Sequence, residues 1–205
     1  MLSFITNRKI WKLISFFIKF YLIFFYKIKV GKNFYSESFP IIITNGHSKN
    51  IIIGNNVKFL GVIDLRNREN GKIIIRDNVI IEGHSRFVAA REGAIIIGEA
   101  THIGGYANWN GGGLIEIGKK CIFAQRSSLQ SSSHNIKSKI DVMDQGYHHA
   151  NISVGDDCFF GTNVMVRENV KIAKGSIIGA NSVVIKDTTF ESVNVGVPAK
   201  EIKKR

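Results

Sequence analysis

Three serines lead into a histidine at Gln130–Ser131–Ser132–Ser133–His134–Asn135, and a polar run follows as far as His148, His149 and Ala150. An imidazole has an ordinary pKa of about 6.5, so at neutral pH it can take a proton from an attacking group and return it. On spacing alone, His134 is either such a base or an exposed loop histidine. The other histidines read as surface groups. His84 and His102 flank the apolar positions Ile81 and Ile103 on outward slots, His47 precedes the regular pattern, and His148 and His149 close the polar run. Histidines from adjoining subunits could hold zinc, but no paired ligand spacing argues for it, and no metal is expected. Cys121 and Cys158 each stand four residues after an apolar residue, Ile117 and Val154, and read as small core hydrophobes. With no cysteine framework and no cleavable leader, a reducing, cytoplasmic setting is expected.

The scaffold that must position these groups has a period of six. Val154, Phe160, Val166, Ile172, Ile178 and Val184 are all apolar, and small residues follow them at fixed offsets. Six matches neither the 3.6 of a helix nor the 2 of a simple strand. It suits a solenoid of parallel β-coils in which each short strand sends one residue inward and then turns a corner. A small residue suits the corner, where the backbone needs unusual φ/ψ and approaches the next coil closely. Coils of three faces can be followed back through Ile117–Phe123–Leu129, Ile97–Ile103–Trp109, Ile75–Ile81–Phe87 and Ile53–Phe59–Leu65, with a weaker coil near Ile41–Ile43. Coil starts at 53, 75, 97, 117, 154 and 172 are 22, 22, 20, 37 and 18 residues apart. The long interval holds the polar run with His134, and long insertions in solenoids gather function on one face. Six coils at about 4.8 Å each make a rod of roughly 30 Å.

Residues 1–32 form a separate segment, with Arg8, Lys9, Lys12, Lys19, Lys27, Lys29 and Lys32 and no acid. Arg8, Lys12, Ser15, Lys19 and Lys27 fall near one line of a helix, and Trp11, Phe16, Phe17, Phe20, Tyr21, Phe24 and Phe25 cover the rest. Lys19 at the centre argues against a membrane span, and no small-residue cleavage site marks a signal peptide. An amphipathic helix remains, lying on an anionic membrane or packed on the end or side of the solenoid. The expected organisation is 1–32 as this helical segment, 33–190 as the β-domain with a loop at 130–153, and 191–205 as a basic tail that is solvated or reaches a phosphate. The net charge of +12, from 28 Lys and Arg against 16 Asp and Glu, favours an anionic partner. Much of that charge is terminal and no basic–aromatic strand platform occurs, so nucleic acid is not expected.

Three pieces together resemble a known family. They are Ile117–Gly118 through Ser131–Ser132–Ser133–His134, Val154–Gly155–Asp156–Asp157–Cys158–Phe159–Phe160–Gly161, and Gly175 through Val184 followed by Lys186–Asp187 and Gly196–Val197–Pro198–Ala199–Lys200. Over roughly residues 50–202 the chain resembles the hexapeptide-repeat acetyltransferases, notably the maltose and galactoside O-acetyltransferase type and its capsule and O-antigen relatives. The resemblance implies an all-β fold, a left-handed parallel β-helix with an N-terminal amphipathic helix, assembled as a homotrimer with sites in the clefts between neighbours. It also implies acetyl-CoA as acyl donor and a sugar or glycan hydroxyl as acceptor. An N-acyltransferase acting on an amino-sugar and a non-catalytic scaffold are the alternatives.

Within that resemblance His134 takes the position of the catalytic base. Phe159 stands where relatives commonly carry Trp, Gly161 and Ala180 match positions whose backbone approaches the pantetheine arm, and Lys186 matches a basic residue near the phosphates. The family's acceptor-binding Asn and Asp fall at Gly104 and Gly111, so acceptor recognition is rebuilt here. Asn108 and Asn110 are the nearest polar candidates, while Trp109 between them fits an inward slot. Asn169 replaces Gly in the usual Pro-Gly turn and tolerates the left-handed backbone.

Overall fold

The computed structural model describes residues 8–45 and 47–205. Among them the chain winds through seven coils whose strands stack into three parallel sheets. In register along the first face lie Ile53, Ile75, Ile97, Ile117, Val154 and Ile172. The second face stacks Phe59, Ile81, Ile103, Phe123, Phe160 and Ile178. The third stacks Leu65, Phe87, Trp109, Leu129, Val166 and Val184. All are buried and belong to one continuous core. Each hexapeptide thus contributes one rung to an apolar column, as the period of six predicts. Trp109 is a core residue whose Nε1 donates to Ser127 Oγ at 3.1 Å. Its ring meets Phe123 at 4.9 Å, and Phe123 stacks on Phe160 at 4.2 Å, joining the faces through aromatic contact. Cys121 and Cys158 are buried free thiols in the first corner.

The corners divide two tasks that the sequence assigns to one residue. Glycine directly after the inward residue has an ordinary backbone but no room for a side chain. A Cβ on Gly118 would stand 2.6 Å from Asp156 N, and one on Gly161 2.5 Å from Ala180 N. The left-handed conformation falls two residues later, at Asn56, Asn78, Asp157, Asn163 and Asn181, with φ of 55° to 61°. Asn and Asp tolerate that region because short polar side chains bond locally; Asn169 adopts it too.

A coil precedes the clear repeat. Lys29–Val30, Tyr35–Ser36 and Ile41–Thr44 pair in parallel with the second coil, placing Val30, Ser36 and Ile42 at spacing six. Ser36 is polar in an inward slot because its neighbour is a helix rather than another coil. That helix, α1 (Arg8–Tyr26), covers the end of the stack. Ser15 Oγ accepts from Ser36 N–H at 2.8 Å, Lys19 Nζ donates to the Gly31 carbonyl, and Ile18 and Leu22 are fully buried. The line of Ser15 and Lys19 therefore faces protein, not water. No helix among the described residues is long and apolar enough to cross a membrane.

At the other end Ser192–Gly196 extends the second face, and Ala199–Lys204 folds back on it antiparallel. The final basic residues are engaged at the surface: Lys204 Nζ lies 3.0 Å from Glu201, and Arg205 donates to Asp157 at 2.7 Å.

Deleting the shared aromatic rung should cost far more than deleting its outward neighbour. Phe123→Ala is expected to lower unfolding stability by about 3–5 kcal/mol, whereas Ile122→Ala, half exposed on the same strand, should stay within about 0.5 kcal/mol. Urea denaturation compares them directly, and similar losses would contradict a core joined through Phe123.

Candidate active site

The 37-residue interval leaves the solenoid at the edge between the third and first faces and returns as a hairpin. Ser132–His134 pairs antiparallel with Tyr147–His149, placing Ser132 opposite His149 and His134 opposite Tyr147. A short turn at Val142–Gln145 closes the tip. Gln145 ties this tip together, accepting from Ser138 N–H at 3.0 Å and donating to the Ile140 carbonyl at 2.8 Å. Asn135 N–H donates to the Gly146 carbonyl at 3.0 Å. His134 therefore stands on an ordered strand, not on a slack loop. Its imidazole is exposed, 4.2 Å from the Tyr147 ring. It opens onto a cleft of about 620 Å³ bordered also by Asn135, Lys137, Asp144, Gln145 and His148.

Three glycines seat the root of the hairpin. A Cβ on Gly111 would run into Ser131 Oγ, one on Gly112 would lie 2.6 Å from His149 Nδ1, and one on Gly113 2.7 Å from the Ala150 carbonyl. Ser132 Oγ accepts from Gly112 N–H at 2.8 Å and meets His149 Nδ1 at 2.8 Å. Gly104 is as tight, its Cβ falling 2.8 Å from Ala124 C. The two positions where the family resemblance places an acceptor-binding amide and carboxylate therefore have no space for either.

His149 differs from the surface histidine expected. Its Nε2 is enclosed and has no partner among the described residues. Burial first, then the charge of Arg91 and the neighbouring His148, hold its pKa below the ordinary imidazole value. The sequence carries a signal for this, since a hairpin closing on Ser132 puts His149 opposite it. His148 is exposed and lies 3.2 Å from Glu168, which Arg167 also contacts. Burial works against the charge on Glu168, but hydrogen bonds from Arg167 and His148 leave its carboxyl below the ordinary range.

The remaining candidates spread along the third face. Asn108 and Asn110 point outward on the strand Asn108–Gly111, on either side of buried Trp109. The Asn110 carbonyl accepts from Ser131 N–H at 3.0 Å, which brings it to the hairpin root. Phe159, Gly161 and Ala180 gather at the opposite edge, where the second face turns into the third, Gly161 lying directly against Ala180. Lys186 is exposed beyond the last strand of the third face, on the hairpin's edge but two coils further on. A second hollow of about 650 Å³ on the first face, bordered by Arg76, Glu99, Glu116, Lys119 and Asp156, contains none of these residues.

A family model described as bacterial transferase hexapeptide (six repeats) matches residues 151–186. The dTDP-4-amino-4,6-dideoxy-D-glucose acyltransferase of Escherichia coli is 33% identical over 159 residues, which is 75% of this chain and 81% of that protein. The chain belongs to the hexapeptide-repeat acyltransferase family. Two solved structures share the fold. The polySia-specific acetyltransferase NeuO has a TM-score of 0.59 at 23% identity, covering 86% of each chain. The N-acyltransferase AntD from Bacillus cereus, in complex with dTDP and 3-hydroxybutyryl-CoA, has a TM-score of 0.57 at 22% identity, covering 86% of this chain and 82% of that one.

A histidine whose folded pKa is depressed binds its proton more readily when the chain unfolds. Stability is therefore full above the ordinary histidine pKa and falls as pH drops below about 6.5. His149→Gln should lose less stability than the parent between about pH 7 and about pH 5. Denaturation midpoints at both pH values check this, and parallel losses would mean that His149 is not held neutral.

Proposed function

We propose that this protein is a sugar acyltransferase that uses acetyl-CoA and that His134 is its general base. The observation that carries this reading is an exposed imidazole fixed on a hairpin strand beside an open, mainly apolar cleft with polar groups at its border, on a family scaffold. The acceptor hydroxyl attacks the thioester carbonyl while its proton passes to His134. The tetrahedral intermediate then collapses, the C–S bond breaks, and the departing CoA sulfur takes the proton back. No covalent enzyme intermediate is needed. Backbone N–H groups at the solenoid edge supply donors of the kind that stabilise a developing oxyanion.

We further propose that the site is completed between copies of the chain in a homotrimer. Phe159, Gly161 and Ala180, the residues suggested for the pantetheine arm, line the opposite edge of the third face from the hairpin. Ile136, Ile140, Val142 and Met143 on the hairpin are all at least half exposed, an apolar set suited to a neighbouring subunit. In that arrangement one chain's His134 meets acetyl-CoA lying along its neighbour, with Lys186 near the phosphates and Asn108 and Asn110 on the acceptor side. The acceptor is a nucleotide-linked or lipid-linked precursor of a surface polysaccharide, modified in the cytoplasm where acetyl-CoA is supplied.

A second reading, transfer to the amine of an amino-sugar, is favoured by the 33% identity to an enzyme named for a 4-amino sugar nucleotide. A neutral amine attacks without prior proton removal, so His134 would accept the proton only as the C–N bond forms.

His134→Ala is expected to lower kcat by about 10²–10⁴-fold while thermal stabilisation by acetyl-CoA persists. Release of CoA thiol against a panel of hydroxyl and amino nucleotide sugars measures the first and separates the two acceptors. Near-parental turnover in the variant would overturn the assignment.

A further inference from the structure

We propose that α1 and the end of the solenoid it covers dock on an anionic lipid surface. Packing a helix on a protein normally leaves a polar side outward, and here the hidden side is mixed while an aromatic side stays exposed. The inward side carries Ser15 and Lys19 among Ile18 and Leu22, bonded to the first coil. The outward side carries Leu13, Phe16, Phe17, Phe20, Ile23, Phe24 and Phe25, with exposures from 43% to 68%. Phe39, on the first coil, adds a further exposed ring through its contact with Tyr21 at 5.6 Å. Scattered apolar surface residues need no explanation, but a contiguous aromatic stripe does.

Charge chooses the occupant. Lys12, Lys27, Lys29 and Lys32 are exposed around the stripe, and no Asp or Glu precedes Glu37. A second copy meeting this face would set lysine against lysine without a balancing acid, which disfavours self-association. An anionic bilayer satisfies both features: rings enter the boundary between headgroups and acyl chains, and lysines meet the phosphates. The helix lies on the surface and does not cross it, because Ser15, Ile18, Lys19 and Leu22 are committed to the protein. This extends beyond acyl transfer and does not depend on it.

Co-sedimentation of the full chain with vesicles tests the proposal. Binding is expected on phosphatidylglycerol–phosphatidylcholine vesicles and to be at least about tenfold weaker on phosphatidylcholine alone. It should weaken when salt rises from about 0.1 M to about 0.5 M. The variant Phe16→Ser/Phe20→Ser/Phe24→Ser changes only outward rings, so its melting temperature should match the parent while its partitioning falls by about tenfold or more. Lys27→Glu/Lys29→Glu should lose the preference for anionic vesicles. Parent protein left in the supernatant, equal partitioning of parent and triple-serine variant, or a larger assembly that only the triple-serine change dissolves would each overturn lipid docking. The last outcome would assign the face to a second copy.

Discussion

The stack of parallel coils about 4.8 Å apart is the constraint on which the rest of this molecule depends. At that spacing every inward residue meets its counterparts above and below, so Phe123 on Phe160 and the isoleucine column on the first face follow from closeness as much as from hydrophobicity. The same closeness forbids a Cβ at Gly118 and Gly161, where the next coil's backbone already occupies the space. Backbone ladders and apolar columns therefore reinforce each other, and a local error in either would propagate to adjacent coils.

A stack so tight can project a functional element only where a coil is interrupted and its neighbour makes room. The His134 hairpin meets both conditions. It leaves between the fifth and sixth coils, and its root rests on Gly111–Gly113 of the coil before. Ser132 links that glycine seat to His149, so the imidazole at the far end of the same short strand inherits its position from the solenoid. Gly111, one of the glycines that accommodate the hairpin, also occupies the position where the family resemblance places a carboxylate.

The ends obey the same rule in reverse. A terminal coil has an unpaired strand edge and an open apolar column, and something must cover both. At the C-terminus a hairpin continues the sheet, with Asn194 in the inward slot donating to Ser192. At the N-terminus a helix covers the column, and the coil beneath answers with Ser36 where other coils carry a hydrophobe. The helix makes this contact with Ile18 and Leu22 flanked by Ser15 and Lys19, which leaves its aromatic side outward.

Spacing alone determined the columns, because parallel coils in register repeat every inward residue at the same offset; Ile53 through Val184 could be placed without coordinates. It also marked the 37-residue interval and its histidine, since a break in a strict period is visible in one dimension. The first coil stayed faint because Ser36 interrupts the apolar code for a reason lying twenty-one residues away at Ser15. Only the tertiary structure separated the glycine of close approach from the asparagine of left-handed backbone, enclosed His149 Nε2 with its ring against Ser132, and turned Ser15 and Lys19 of the helix inward. Each of these depends on which distant segment occupies the neighbouring space, and a residue's type does not encode its neighbour.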